Sequence, residues 1–246
     1  MAGRARRVTA TAVAAERRLR QSGDPSNAAF ALRFFKTGPG QYGEGDRFLG
    51  LRVPQVRTIA KECAALPLAE LQRLLGSPWH EARLLALLIM VRQYERGGVA
   101  DRAALHGLYL ANTAHINNWD LVDASAACLV GRHFDGRHPR RLLRLARSTL
   151  LWERRIAIVA TFHTIRQGRL DDTFTVAAAL RDDGHDLIHK AVGWMLREAG
   201  KRDQAALERF LDMHAAQMPR TMLRYAIERF PPSLRRRYML AARTGG

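Results

Sequence analysis

The chain has 246 residues, enough for one large domain or two small ones and for a sizeable core. Forty Lys and Arg against 23 Asp and Glu give a formal charge of +17, while the apolar fraction of 47% is that of an ordinary globular protein. Together these values exclude a disordered basic tail and argue against a neutral metabolic enzyme. They favour a polyanionic partner, nucleic acid or an anionic membrane surface, on which the self-repulsion of the free protein is relieved.

In chain order, the opening MAGRARRVTATAVAAERRLRQ is basic but lacks a continuous apolar core or a small-residue cleavage site, which argues against secretion. A transit peptide fits that composition too; the reading adopted is a flexible basic stretch over 1–7 followed by an ordinary first helix. Ala, Leu, Arg and Glu dominate, β-branched alternation is almost absent, and Gly or Pro recurs at helix-length intervals. The pattern predicts helices over 8–21, 26–36, 53–65, 67–75, 79–95, 99–113, 119–131, 139–147, 150–167, 171–181, 186–199, 203–214, 219–229 and 232–242.

Pro54 marks a first turn, Ser77-Pro78 precedes a strong apolar run, and Asp186 and Asp203 stand where N-caps belong. Between the second and third helices, TGPGQYGEGDRFLG (37–50) has no Gly-Lys-Ser/Thr ending for a phosphate loop. It reads as a Gly-rich connection, with a lid or a DNA-facing loop as alternatives. The longest apolar run, Leu84 to Val91, has eight residues, against the roughly 20 that a membrane helix needs. Cys63 and Cys128 are isolated and read as core residues of a reducing compartment.

The longer helices align by their apolar pattern: QVRTIAKE, EARLLALL, LVDASAAC, ERRIAIVA, IHKAVGWM and MLRYAIER. The third letter of each is Arg57, Arg83, Asp123, Arg155, Lys190 and Arg224, at spacings of 26, 40, 32, 35 and 34 residues. Such intervals suit one helical hairpin each, as in HEAT-type solenoids. The expected fold is therefore all-α, a single domain over 1–246 built as an α-solenoid of about six HEAT-like hairpins, its concave face lined by this charged column. Cations near a helix N-terminus oppose the macrodipole, so their recurrence points to a phosphate backbone rather than to helix stability. Asp123 is the one carboxylate in the row.

Trp119 precedes Asp123 by four residues, which puts ring and carboxylate on one helix face. Trp194 follows Lys190 by one turn on the corresponding face. Trp79 and Trp152 read instead as core. Two indoles around an acid attract a flat cation, and a purine alkylated at N3 or N7 is one. Its N-glycosidic bond is weakened and its base leaves without protonation. A single carboxylate then suffices to stabilise positive charge on the deoxyribose and orient water.

NNWDLVD (117–123), LWERRIAI (151–158) and IHKAVGWMLRE (188–198), with RFLGLRVPQVR (47–57), resemble the AlkD-like DNA alkylation repair glycosylases over residues 28 to 230. The resemblance implies HEAT-like repeats holding duplex DNA in a basic channel and hydrolysis of N3- and N7-alkylpurine nucleotides without a deep base-flipping pocket. It implies Asp123 as catalytic carboxylate, Trp119 and Trp194 as aromatic walls, Arg155 as the group that grips the DNA backbone, and no metal or other cofactor. Arg57, Arg83, Lys190 and Arg224 complete the expected DNA-binding set. A monomer acting in base excision repair on the DNA of a bacterial cytoplasm, with no membrane partner, is the expectation. The Gly-rich 37–50 segment has no clear counterpart in the pattern.

Rival readings are weaker. His185 and His189 lie four apart but lack a third ligand for a metal. Asp171-Asp172 and Asp182-Asp183 fit helix-end capping. The competing function is a non-catalytic helical-repeat protein that binds damaged or branched nucleic acid.

Overall fold

The computed structural model describes residues 11–135 and 139–241; the flexible terminus expected over 1–7 lies outside them. Apart from one isolated bridge pair, Arg47 with Trp79, all regular structure among the described residues is helical. The chain divides between Leu121 and Val122 into two compact units.

The first unit contains α1 (Ala12–Gln21), α2 (Pro25–Phe34), α3 (Val53–Glu62), α4 (Leu68–Leu75), α5 (His80–Arg96) and α6 (Val99–Ala111). Local chemistry sets the starts: Thr11 Oγ1 accepts the Ala14 N–H, and Asp24 accepts those of Ser26 and Asn27 beside Pro25. The apolar run makes α5 the axis of the unit. Leu84, Leu85, Ala86, Leu87, Ile89 and Met90 are all buried, and α3, α4 and α6 pack around it. Because α5 is enclosed, its first-turn charges are buried as well.

One of those charges, Glu81, anchors the Gly-rich stretch. Its carboxylate accepts the N–H groups of Leu49, Gly50 and Leu51 at 2.9, 2.7 and 3.2 Å. Gly50 has φ +86°, and a Cβ there would stand 2.0 Å from the Asp24 carbonyl oxygen, so the close approach demands glycine. Asp46 and Phe48 are buried. The end of the 37–50 segment is thus part of the core rather than a lid or an open loop.

The helix α7 (Trp119–Asp123) carries the chain from the first unit into the second. There the expected 119–131 helix is interrupted: residues 124 and 125 form a turn, followed by a π-helical turn Ala127–Gly131 and the short α8 (Arg132–Phe134). Next come α9 (Pro139–Ala146), α10 (Leu151–Ala160), α11 (Phe162–Arg166), α12 (Asp171–Ala179), α13 (Asp186–Gly200), α14 (Gln204–His214), α15 (Arg220–Ala226) and α16 (Pro232–Ala241). The predicted 150–167 helix is split at Thr161, whose Oγ1 donates to the Ile158 carbonyl at 2.7 Å, a local bond that bends helices.

Packing runs from neighbour to neighbour, α9 on α10, α10 on α13, and α13 on α14 and α15, as expected of helical hairpin repeats. At Gly193 a Cβ would meet the Met222 carbonyl oxygen at 2.4 Å, which lets α13 and α15 approach closely. Asp203 caps α14 as expected. Asp186 does not cap α13: His185 Nδ1 accepts the Leu187 N–H at 3.1 Å, and Asp186 lies within the first turn. Cys63 and Cys128 are half-buried rather than core.

Candidate functional site

In the first unit Trp119 stands at the edge of an aromatic stack. Its ring lies against Phe35 at 5.5 Å and 30° and meets Phe34 edge-on at 5.9 Å. Phe35 stacks on Phe48 at 5.0 Å, and the His80 ring lies 4.6 Å from Phe48. This arrangement buries one face of the imidazole in hydrocarbon while its two nitrogens reach acids.

Those acids form a polar cluster that the sequence pattern did not reveal. His80 Nε2 is 2.8 Å from Asp120 Oδ2, and Nδ1 is 3.2 Å from Asp46 Oδ2. Arg83 donates to Asp46 Oδ1 at 2.6 Å and to the Ser77 carbonyl at 2.9 Å. Asn117 and Asn118 donate to Asp46 as well, at 3.2 and 3.4 Å. Burial opposes a charge on His80, but Asp120 and Asp46 outweigh it and push its pKa up to about 9. Burial alone would raise Asp46, yet His80 and Arg83 hold it below the ordinary carboxylate range. At neutral pH the cluster therefore contains a protonated imidazole and an arginine facing carboxylates. The available signal was His80 within an apolar helix, since a buried imidazole needs partners.

In the second unit Asp123 and Arg155 form a two-point ion pair. Arg155 Nε donates to Asp123 Oδ1 at 2.9 Å and Nη2 to Oδ2 at 2.8 Å, while Nη1 donates to the Leu187 carbonyl at 2.7 Å. The Arg155 side chain is 6% exposed and that of Asp123 20%. A fork-to-fork pair of this kind fixes the carboxylate's plane as well as its place. Trp194, half-buried on α13, lies 5.9 Å from Phe162.

The expected row of solvent-facing cations is only partly present. Arg57 and Arg224 are exposed, and Lys190 is half-exposed and paired with Asp186 at 2.7 Å. Arg83 and Arg155 depart from the row because each is turned inward onto a carboxylate and a carbonyl. Trp152 is buried as expected, whereas Trp79 is half-exposed beneath the Arg20 guanidinium at 4.7 Å. His185 and His189 serve the start of α13, His189 Nε2 meeting the Asp183 carbonyl. Asp183 itself pairs with Arg154 at 2.6 Å. Among the described residues no group of three or more His, Cys, Asp or Glu side chains is placed to hold a metal, and no helix is long and apolar enough to cross a membrane.

Residues 15–230 match the family described as DNA alkylation repair enzyme. A solved structure described as a predicted DNA alkylation repair enzyme from Enterococcus faecalis aligns with a TM-score of 0.66 at 17% identity, covering 85% of this chain and 97% of that one. That likeness concerns the fold. No curated protein matches the sequence. With most of its length matched, the chain belongs to the DNA alkylation repair enzyme family.

Proposed function

We propose that this member of the DNA alkylation repair enzyme family is a monofunctional DNA glycosylase that hydrolyses the N-glycosidic bond of cationic N3- and N7-alkylated purines in duplex DNA. The observation that carries the reading is the Asp123 carboxylate, held at both oxygens by Arg155 yet one-fifth exposed. A two-point pair fixes the plane of the carboxylate, and its partial exposure keeps it within reach of a substrate.

An alkylpurine already bears positive charge, so its departure needs no strong general acid. Positive charge then develops on the deoxyribose, where a fixed carboxylate stabilises it and orients the attacking water. Asp123 takes that role. Trp119 and Trp194 supply electron-rich faces for the cationic nucleotide. Arg155, with both edges of its guanidinium occupied inside the protein, acts as the positioning residue for Asp123, in place of the phosphate grip implied by the family resemblance. Arg57, Lys190 and Arg224 remain for phosphate contacts; Arg83, closed into the Asp46 cluster, does not. The chemistry calls for no metal or organic cofactor, and the protein acts as a monomer on duplex DNA.

The test is incubation with methylated genomic DNA and identification of the released bases by mass spectrometry. Asp123→Asn is expected to lower release by about a hundredfold or more, with affinity for undamaged duplex unchanged or higher because a negative charge is lost. Release of no base by the wild-type chain would leave the non-catalytic binder; wild-type release by the Asn variant would remove Asp123 from the mechanism.

A further inference from the structure

The helix α9, PRRLLRLA, buries Leu142, Leu145 and Ala146 against its neighbours and exposes Arg140, Arg141 and Arg144, with Arg147 exposed one residue past its end. Arg140, Arg144 and Arg147 follow one another by four and three residues and so share a face, opposite the buried one. The burying face is where α9 packs on α10, the helix that carries Arg155. The arginine stripe therefore points away from the Asp123–Arg155 pair.

This stripe is unfavourable to the free protein in two ways. Arg140 and Arg141 stand in the first turn, against the helix dipole. Arg140 and Arg144 are like charges at a four-residue step. Some surface arginines are relieved by acids, as Arg20 is by Glu16 and Arg237 by Asp212, and others, such as Arg57 and Arg224, are exposed without one among the described residues; residues 140–147 carry four arginines in eight positions with no acid among them. Among the described residues no carboxylate pairs with Arg140, Arg141, Arg144 or Arg147; Arg141 finds only the Phe134 ring, at 5.7 Å. Unrelieved cations on a rigid helix suit an external polyanion. The span from Arg140 to Arg147 is about 10 Å of helix axis, over which each strand of a duplex lying alongside presents about three charges, one per about 3.4 Å of DNA axis. The buried leucines leave no apolar face for a membrane.

We propose that the outward face of α9 is a second duplex-DNA contact, which grips the phosphate backbone of a segment other than the one at Asp123. This goes beyond the glycosylase reading and does not depend on it. A segment held here tethers the protein to DNA while the site samples another stretch.

The experiment measures binding of a short undamaged duplex by fluorescence anisotropy across a salt series, with the full chain and the triple variant Arg140→Ala, Arg144→Ala, Arg147→Ala. The second duplex rests on these three contacts, each contributing about 0.9 to the log–log salt slope, so the wild type should show a second binding step with a slope of about 2.7 in magnitude. Between about 50 and 200 mM salt that step weakens about 40-fold. Two duplexes per chain are expected for the wild type at low salt and one for the variant, with the first binding step alike in both. Alanine favours helix, so the variant should fold; the matching triple Lys variant keeps the charge and should keep the second step. A second step that persists in the Ala variant, or a single duplex per wild-type chain, overturns the proposal, the latter pointing to RNA or an acidic protein as the occupant. Base release at saturating DNA reports separately on the glycosylase reading and is expected to be the same in both chains.

Discussion

Raising the pH should unlock the buried cluster around His80. Its pKa is pushed from an ordinary 6.5 up to about 9 by Asp120 and Asp46 against the opposing effect of burial. A raised folded-state pKa means that the stabilisation is fully present below 6.5 and is lost as pH rises through 9. A difference of that size corresponds to about 3 kcal/mol. The other histidines with displaced pKa values, His163, His185 and His214, are pushed down and titrate below this window. Urea denaturation of the wild type from pH 6 to 10, followed by Trp fluorescence, should therefore show a loss of about 3 kcal/mol on the alkaline side. In His80→Gln this proton is not released, so its curve should lack that loss and keep the alkaline one due to Cys63, whose thiol pKa burial pushes up. The variant should be the less stable protein at pH 6, by about 3 kcal/mol or more because Asp46 and Asp120 lose a cation. The gap should close toward pH 10. A wild-type profile no steeper than the variant's would show that His80 is neutral in the folded protein and that Arg83 alone balances the acids.

Arg155→Ala distinguishes positioning from phosphate gripping: base release should fall by about 10- to 100-fold while the salt slope of duplex binding stays as in the wild type, and a slope lower by about one unit would instead place the guanidinium on DNA. Gly50→Ala combines a φ of +86° with a Cβ 2.0 Å from the Asp24 carbonyl oxygen, so a loss of about 2 kcal/mol or more is expected by chemical denaturation, and a loss under about 0.5 kcal/mol would refute the close approach.

Helices were legible because apolar periodicity and end signals agree. The 53–65 prediction became Val53–Glu62 and 186–199 became Asp186–Gly200. The breaks at 124–125 and at Thr161 were not legible, since helix formers continue through both and short-range hydrogen bonds decide. For the site, the sequence pointed to Asp123 and Arg155 but not to their pairing across 32 positions of chain. Asp46 was invisible for a related reason. It sits in a Gly-rich stretch with no periodicity, and only the fold brings it to Arg83 and His80.

Between α5 and α10 the charged column is one residue out of register, and the register bears on function. Arg83 donates to the carbonyl of Ser77, six residues before it, and Arg154 donates likewise to the carbonyl of Ser148. Both α5 and α10 begin three residues after that serine. Arg154, with its partner Asp183, is therefore the counterpart of Arg83 with Asp46. Arg155 then corresponds to Leu84, a buried apolar position. A buried guanidinium costs desolvation that pairing only partly offsets, and replacing both members of such a pair by apolar residues often stabilises a protein. The Asp123–Arg155 pair thus occupies a core position where stability alone favours apolar residues. Its presence in that place is what a demand for an oriented carboxylate, rather than for a firmer core, would produce.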